Sequence, residues 1–72
     1  MIVTFKYIDN NIDIKIYEKN KLKNVVEVLR KTRFSEMEQC DYVFSVRKNE
    51  MVSTELSAEE AEIYNGDILE IR

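Results

Sequence analysis

The sequence has no histidine and no proline, and only one glycine and one cysteine in seventy-two residues. Each of these shortages excludes something. Without histidine the commonest general base is missing. The lone thiol, Cys40, permits no internal disulfide, and a small chain without such staples suits a reducing cytoplasm. With Gly66 as the only glycine there is no glycine-rich phosphate loop, and without a Cys/His cluster there is no zinc site. No apolar run approaches the roughly 20 residues of a membrane span. The opening Met1-Ile2-Val3-Thr4-Phe5-Lys6 lacks the basic-then-apolar layout of a signal peptide. The net charge of -3 gives no basic excess for phosphate contacts, which argues against a nucleic-acid partner.

What is present is a series of strong periods in a length that fits one domain, residues 1–72. Val3, Phe5 and Tyr7 alternate with Ile2, Thr4, Lys6 and Ile8. Ile12, Ile14 and Ile16 alternate with Asp13, Lys15 and Tyr17. Period two over such lengths predicts half-buried strands. The intervening Asp9, Asn10 and Asn11 are turn formers. A two-residue turn at Asp9-Asn10 pairs Tyr7 with Ile12, Phe5 with Ile14 and Val3 with Ile16.

From Asn20 the period changes. Leu22, Val25, Val26 and Leu29 recur at spacings of three and four between charged residues, which predicts an amphipathic helix over roughly residues 21–33. Asn20 is its candidate N-cap, and Arg30, Lys31 and Arg33 suit the negative end of its dipole. Residues 34–41 carry no period and read as a loop with Phe34 and Met37 tucked onto the core. Tyr42, Phe44 and Val46 then alternate with Val43, Ser45 and Arg47; the bulkier set is expected inward. A turn at Lys48-Asn49-Glu50 leads to a short strand, Met51-Val52-Ser53. The capping box Ser57-Ala58-Glu59-Glu60 predicts one or two helical turns to about Ile63, stopped by Gly66. Ile68 to Arg72 is the last strand, with Leu69 and Ile71 inward. The order is ββαββ, a short helix, then β, an α+β class with a mixed sheet packed on one helix.

The ending Asn65-Gly66-Asp67-Ile68-Leu69-Glu70-Ile71-Arg72 resembles the last strand of ubiquitin-like β-grasp domains, and Leu22-Lys23-Asn24-Val25-Val26 is similar to the opening of ubiquitin's helix. The resemblance implies about five strands, with the last between the first and third and parallel to the first. The stretch Val43-Phe44-Ser45-Val46-Arg47, together with Ile63 through Ile71, looks most like the YukD/EsaB family of small ubiquitin-like proteins from type VII secretion systems. Ubiquitin and the sulfur carriers ThiS and MoaD continue from this strand into a reactive Gly-Gly tail. Here no such tail follows, which sets the sulfur-carrier or modifier reading behind that of an adaptor. The resemblance thus implies a non-enzymatic accessory protein of type VII secretion, cytoplasmic, with a protein partner on the cytoplasmic side of the membrane machinery. The alternative is a ubiquitin-like interaction domain of another pathway.

The chemistry of the side chains agrees with a non-catalytic role. Cys40 is the only candidate nucleophile, and Glu36, Glu38 and Asp41 beside it oppose thiolate formation. Glu55, Glu59, Glu60 and Glu62 lack the glycine-containing turn of a calcium loop and are explained by the dipole of a helix start. No cofactor or metal is expected. Strand alternation places Ile8, Val43 and Ile68 on the outer face of the sheet, ringed by Lys6, Lys15, Arg47 and Arg72. These seven form the candidate partner-binding patch, with Tyr17 and Tyr64 as rim residues.

Overall fold

The computed structural model describes all seventy-two residues. β1 (Ile2–Tyr7) and β2 (Asn10–Lys15) form a hairpin, followed by α1 (Leu22–Thr32), β3 (Tyr42–Ser45), β4 (Glu50–Ser53) and β5 (Ile68–Ile71). The five strands make one sheet in the order β2-β1-β5-β3-β4. β5 runs parallel to β1 and antiparallel to β3. A mixed sheet with the last strand at its centre, wrapped on one helix, is the β-grasp arrangement.

The inner face is apolar because the strand periods put Val3, Phe5, Val43, Val52, Leu69 and Ile71 on one side. Leu22, Val26 and Leu29 of α1 close over them. Phe34 and Met37 fill the end of this layer from the loop after the helix, and Ala58, Ala61 and Ile63 cover the rest. No buried side-chain nitrogen or oxygen lacks a hydrogen-bond partner.

Four local expectations are corrected. The hairpin turn is Ile8-Asp9, and Tyr7 pairs with Asn10, Phe5 with Ile12 and Val3 with Ile14. The register is two residues from the expected one, so the isoleucines keep their face. It lets the ladder reach the first residue: the Ile16 N–H donates to the Met1 carbonyl at 2.9 Å and the Met1 ammonium to the Ile16 carbonyl at 3.0 Å.

The helix start is Lys21, not Asn20, and no side chain caps it. The Leu22 and Lys23 N–H groups donate instead to the carbonyls of Leu56 and Thr54 at 3.0 and 2.8 Å, so the orphan donors of a helix start are met from the neighbouring chain. Asn20 Oδ1 accepts from the Tyr17 N–H, closing the turn before the helix.

The predicted short helix is present as one capped turn; what is corrected is its stop, at Glu62 and not at Gly66. Ser57 and Glu60 form the reciprocal box: the Ser57 N–H donates to Glu60 Oε1 at 2.9 Å and the Glu60 N–H to Ser57 Oγ at 3.1 Å. The turn ends at Glu62, which takes φ +57°. The Ile63 N–H donates to the Ala58 carbonyl and the Glu62 N–H to the Glu59 carbonyl, which is the Schellman pattern. Gly66, at φ +89°, makes the following turn into β5.

The fourth correction concerns β3, whose faces are inverted relative to expectation. Val43 and Ser45 are fully buried, whereas Tyr42 and Val46 are exposed and Phe44 is half-buried. The pairings decide this. Ser45 lies opposite Leu69 and Val43 opposite Val52, both inward residues, and directly opposed residues share a face.

Candidate binding face

The seven residues expected to form one patch are not brought together. Val43 is inside the core at 0% exposure and cannot touch a partner. Ile8 is 75% exposed in the hairpin turn beyond β1, where its φ of +54° takes it out of the strand alternation, and β1 from Thr4, the residue opposite Ile68, to Tyr7 lies between them. Arg47 is occupied elsewhere. Its Nε and Nη2 donate to the two carboxylate oxygens of the buried Asp67 at 2.8 and 3.2 Å, and Nη2 also donates to the Glu62 carbonyl at 2.6 Å. Asp67 raises the arginine's pKa further through that hydrogen bond, and the guanidinium also lies over the Tyr64 ring at 4.7 Å. Asp67 accepts from the Tyr64 N–H as well, at 2.9 Å. Arg47 thus holds the Tyr64–Asp67 turn in place.

Lys6, Ile68 and Arg72 do belong to the outer face. β1 contributes Ile2, Thr4 and Lys6; β5 contributes Ile68 and Glu70, and Arg72 follows it. The residues that sequence reasoning assigned to the core, Tyr42, Phe44 and Val46, come from β3 and its following turn, and β4 adds Met51. One row crosses all five strands: Met51, Phe44, Glu70, Lys6 and Asn11 stand successively opposite one another. Above it, the Val46 N–H donates to the Ile68 carbonyl at 3.1 Å, which sets these two apolar residues side by side.

Arg72 spans the middle of this face. Its guanidinium carbon lies 3.8 Å from the Phe44 ring centroid, and its Nε and Nη2 donate to Glu70 Oε1 at 3.2 and 2.9 Å. The charge of Glu70 is thereby matched within the face. Lys6 and Lys15 take part in no salt bridge; Lys15 lies over the Tyr17 ring at 5.6 Å. The face is an apolar stripe of Tyr42, Phe44, Met51, Val46 and Ile68, with the unpaired Lys6 ammonium on β1 and both Asp13 and Lys15 farther off on the edge strand. Such a contiguous apolar group rimmed by polar residues is the usual composition of a protein-binding surface.

The remaining candidates have separate structural roles. Burial, and then the neighbouring Asp41 carboxylate, push the half-buried Cys40 thiol up from its ordinary pKa. Glu59 pairs with Lys19 at 2.9 Å and Glu55 with Lys23 at 3.3 Å, while Glu60 serves the capping box. No three acidic, cysteine or histidine residues converge on a point that could hold a metal ion. No helix is long and apolar enough to cross a membrane.

Compared with the models of known protein families and with curated proteins, the chain gives no match. No local signal marks the outer β3 residues: their face is set by the long-range pairing of Ser45 with Leu69 and not by local alternation.

Proposed function

We propose that this chain is a non-enzymatic, ubiquitin-like adaptor that works by binding a protein partner across the outer face of its sheet. The observation that carries the reading is the Tyr42, Phe44, Val46, Met51 and Ile68 stripe, over which no helix or strand packs and only the Arg72 side chain lies. The partner is a protein surface with an apolar ridge flanked by a carboxylate, because Lys6, on the strand next to the stripe, has no salt-bridge partner. The resemblance of the sequence to the YukD/EsaB family supports a cytoplasmic accessory role in type VII secretion. In that role the partner is a cytoplasmic part of the secretion machinery.

Two experiments test the two parts separately. Titration calorimetry with purified cytoplasmic domains of the machinery should show binding that Phe44→Thr and Met51→Lys weaken at least tenfold. Binding that both variants leave unchanged would refute the outer face as the site. Neighbouring genes for WXG-type helical hairpins and an FtsK-like ATPase are expected on the secretion reading. If both are missing, the pathway assignment falls, and a ubiquitin-like adaptor of another pathway takes its place.

A further inference from the structure

The sheet has two edges, β2 and β4. β4 has four residues, whereas β2 has six, and β2 carries no proline, glycine or bulge. Strand ladders alternate between bonded and non-bonded pairs. Since Met1 and Ile16 bond each other through both backbone groups, the bonded pairs of the hairpin are Val3–Ile14, Phe5–Ile12 and Tyr7–Asn10. The N–H and carbonyl groups of Asn11, Asp13 and Lys15 therefore point away from β1. They bond nothing else in the chain. Proteins usually guard such an edge with charged side chains, lysine above all, or by shortening it. This edge keeps its length, and its two charges, Asp13 and Lys15, are of opposite sign.

Its sequence has an additional property. Ile12-Asp13-Ile14-Lys15-Ile16 reads the same in both directions except that the charge changes sign about Ile14. A second β2 laid antiparallel on the first, with the twofold axis at Ile14, sets Asp13 of each copy opposite Lys15 of the other. On the inner side it sets Ile14 against Ile14 and Ile12 against Ile16. Ile12 and Ile14 are only half-buried in the single chain, and such a pairing covers them. The free N–H and carbonyl groups of Asp13 and Lys15 then face one another across the axis. A shift of two residues loses this match, since it opposes Asp13 to Asp13, and like charges directly opposed destabilise a strand pair.

We propose that a second copy of this chain binds along β2 in this register, joining the two five-stranded sheets into one. The occupant is argued from the charge and apolar complementarity of the segment with itself, independently of any partner on the outer face. An isologous contact of this kind closes as a dimer and goes no further.

Charge exchange tests it. Sedimentation velocity of the wild-type chain, run up to about 1 mM, should show a concentration-dependent dimer. Asp13→Lys alone opposes Lys to Lys twice, and Lys15→Asp alone opposes Asp to Asp twice, so each should be monomeric. Mixed in equal amounts, the two variants should recover the dimer, because every contact between them is again of opposite sign. Hydrogen exchange should slow with concentration at the Asp13 and Lys15 amides and stay unchanged at Ile12 and Ile14, which are already bonded to β1. Both substitutions are on exposed side chains, and circular dichroism checks that each variant is folded. A wild-type chain that stays monomeric over the whole range overturns the proposal. So does a dimer that survives both single substitutions, a mixture that stays monomeric, or protection that maps to β4.

Discussion

Adjacent residues of β3 should respond in opposite ways to substitution. Val43 has no exposed surface and sits among the core side chains, opposite Val52. Replacing it with aspartate removes a buried valine, worth about 1.5–3 kcal/mol, and puts an unpaired carboxylate into the core at a further cost of several kcal/mol. A domain of this size holds a margin of roughly 3–5 kcal/mol. Val43→Asp should therefore be unfolded at room temperature. Phe44, one residue on, faces outward with one side of its ring against Arg72. Threonine there keeps strand propensity and loses the cation–π contact and part of the ring's packing, about 1–2 kcal/mol in all. At roughly 4–8 °C per kcal/mol for a small domain, Phe44→Thr should melt lower by about 4–16 °C and remain folded at 25 °C. Thermal melts followed by circular dichroism read both. A cooperative wild-type-like melt for Val43→Asp, or an unfolded Phe44→Thr, would refute the assigned faces and the binding surface built on them.

Three further outcomes are expected. Gly66 takes φ +89°, and a Cβ added there would meet nothing within 4 Å, so Gly66→Ala should cost about 1–2 kcal/mol through backbone strain alone; an unchanged melting temperature would contradict this. The Ser57 N–H, and then its hydroxyl, hold the Glu60 carboxyl below the ordinary glutamate pKa. A group lowered in the native state stabilises above its unfolded pKa and loses that contribution as pH falls through the native value. The melting temperature should thus decline below the usual glutamate range, and less steeply in Glu60→Gln; superimposable profiles would remove the capping box from the acid response. With its pKa raised by burial and Asp41, Cys40 should react with iodoacetamide at pH 8 more slowly than free cysteine does, and an equal or faster rate would show that the thiol is not shielded.

The element order was legible because most segments carry only one plausible period. Leu22, Val26 and Leu29 can share a face only in a helix, and Leu69 and Ile71 only in a strand. The hairpin register was not legible to better than two residues. Moving Ile12 from opposite Tyr7 to opposite Phe5 leaves every isoleucine on the same face, so the apolar pattern is satisfied by both. What separates them is the pairing of Met1 with Ile16, at the far end of the ladder from the turn. β3 is the harder case, since Tyr42, Phe44 and Val46 are bulkier than Val43, Ser45 and Arg47 and local alternation favours them for the core. The sheet places them outside because Ser45 must lie opposite Leu69. The interior there is already filled by side chains from α1, the loop after it and the capped turn.

The displacement of Arg47 from the expected patch has the same kind of origin. Glycine is the usual residue that ends a helical turn in the left-handed region, and Gly66 is the only one available. The turn instead ends at Glu62, and its last carbonyls need donors. Lys48 Nζ reaches the Ala61 carbonyl at 3.0 Å and Arg47 the Glu62 carbonyl, so two basic side chains from the β3–β4 turn complete a stop that glycine was expected to make four residues later. Arg47 then has Asp67 on its other side, and Asp67 holds the entry to β5. A cation that alternation places on the surface is in this way tied into the connection between β4 and β5. The cation left over beside the stripe is Lys6, on β1, where no carbonyl or carboxylate of the chain claims it.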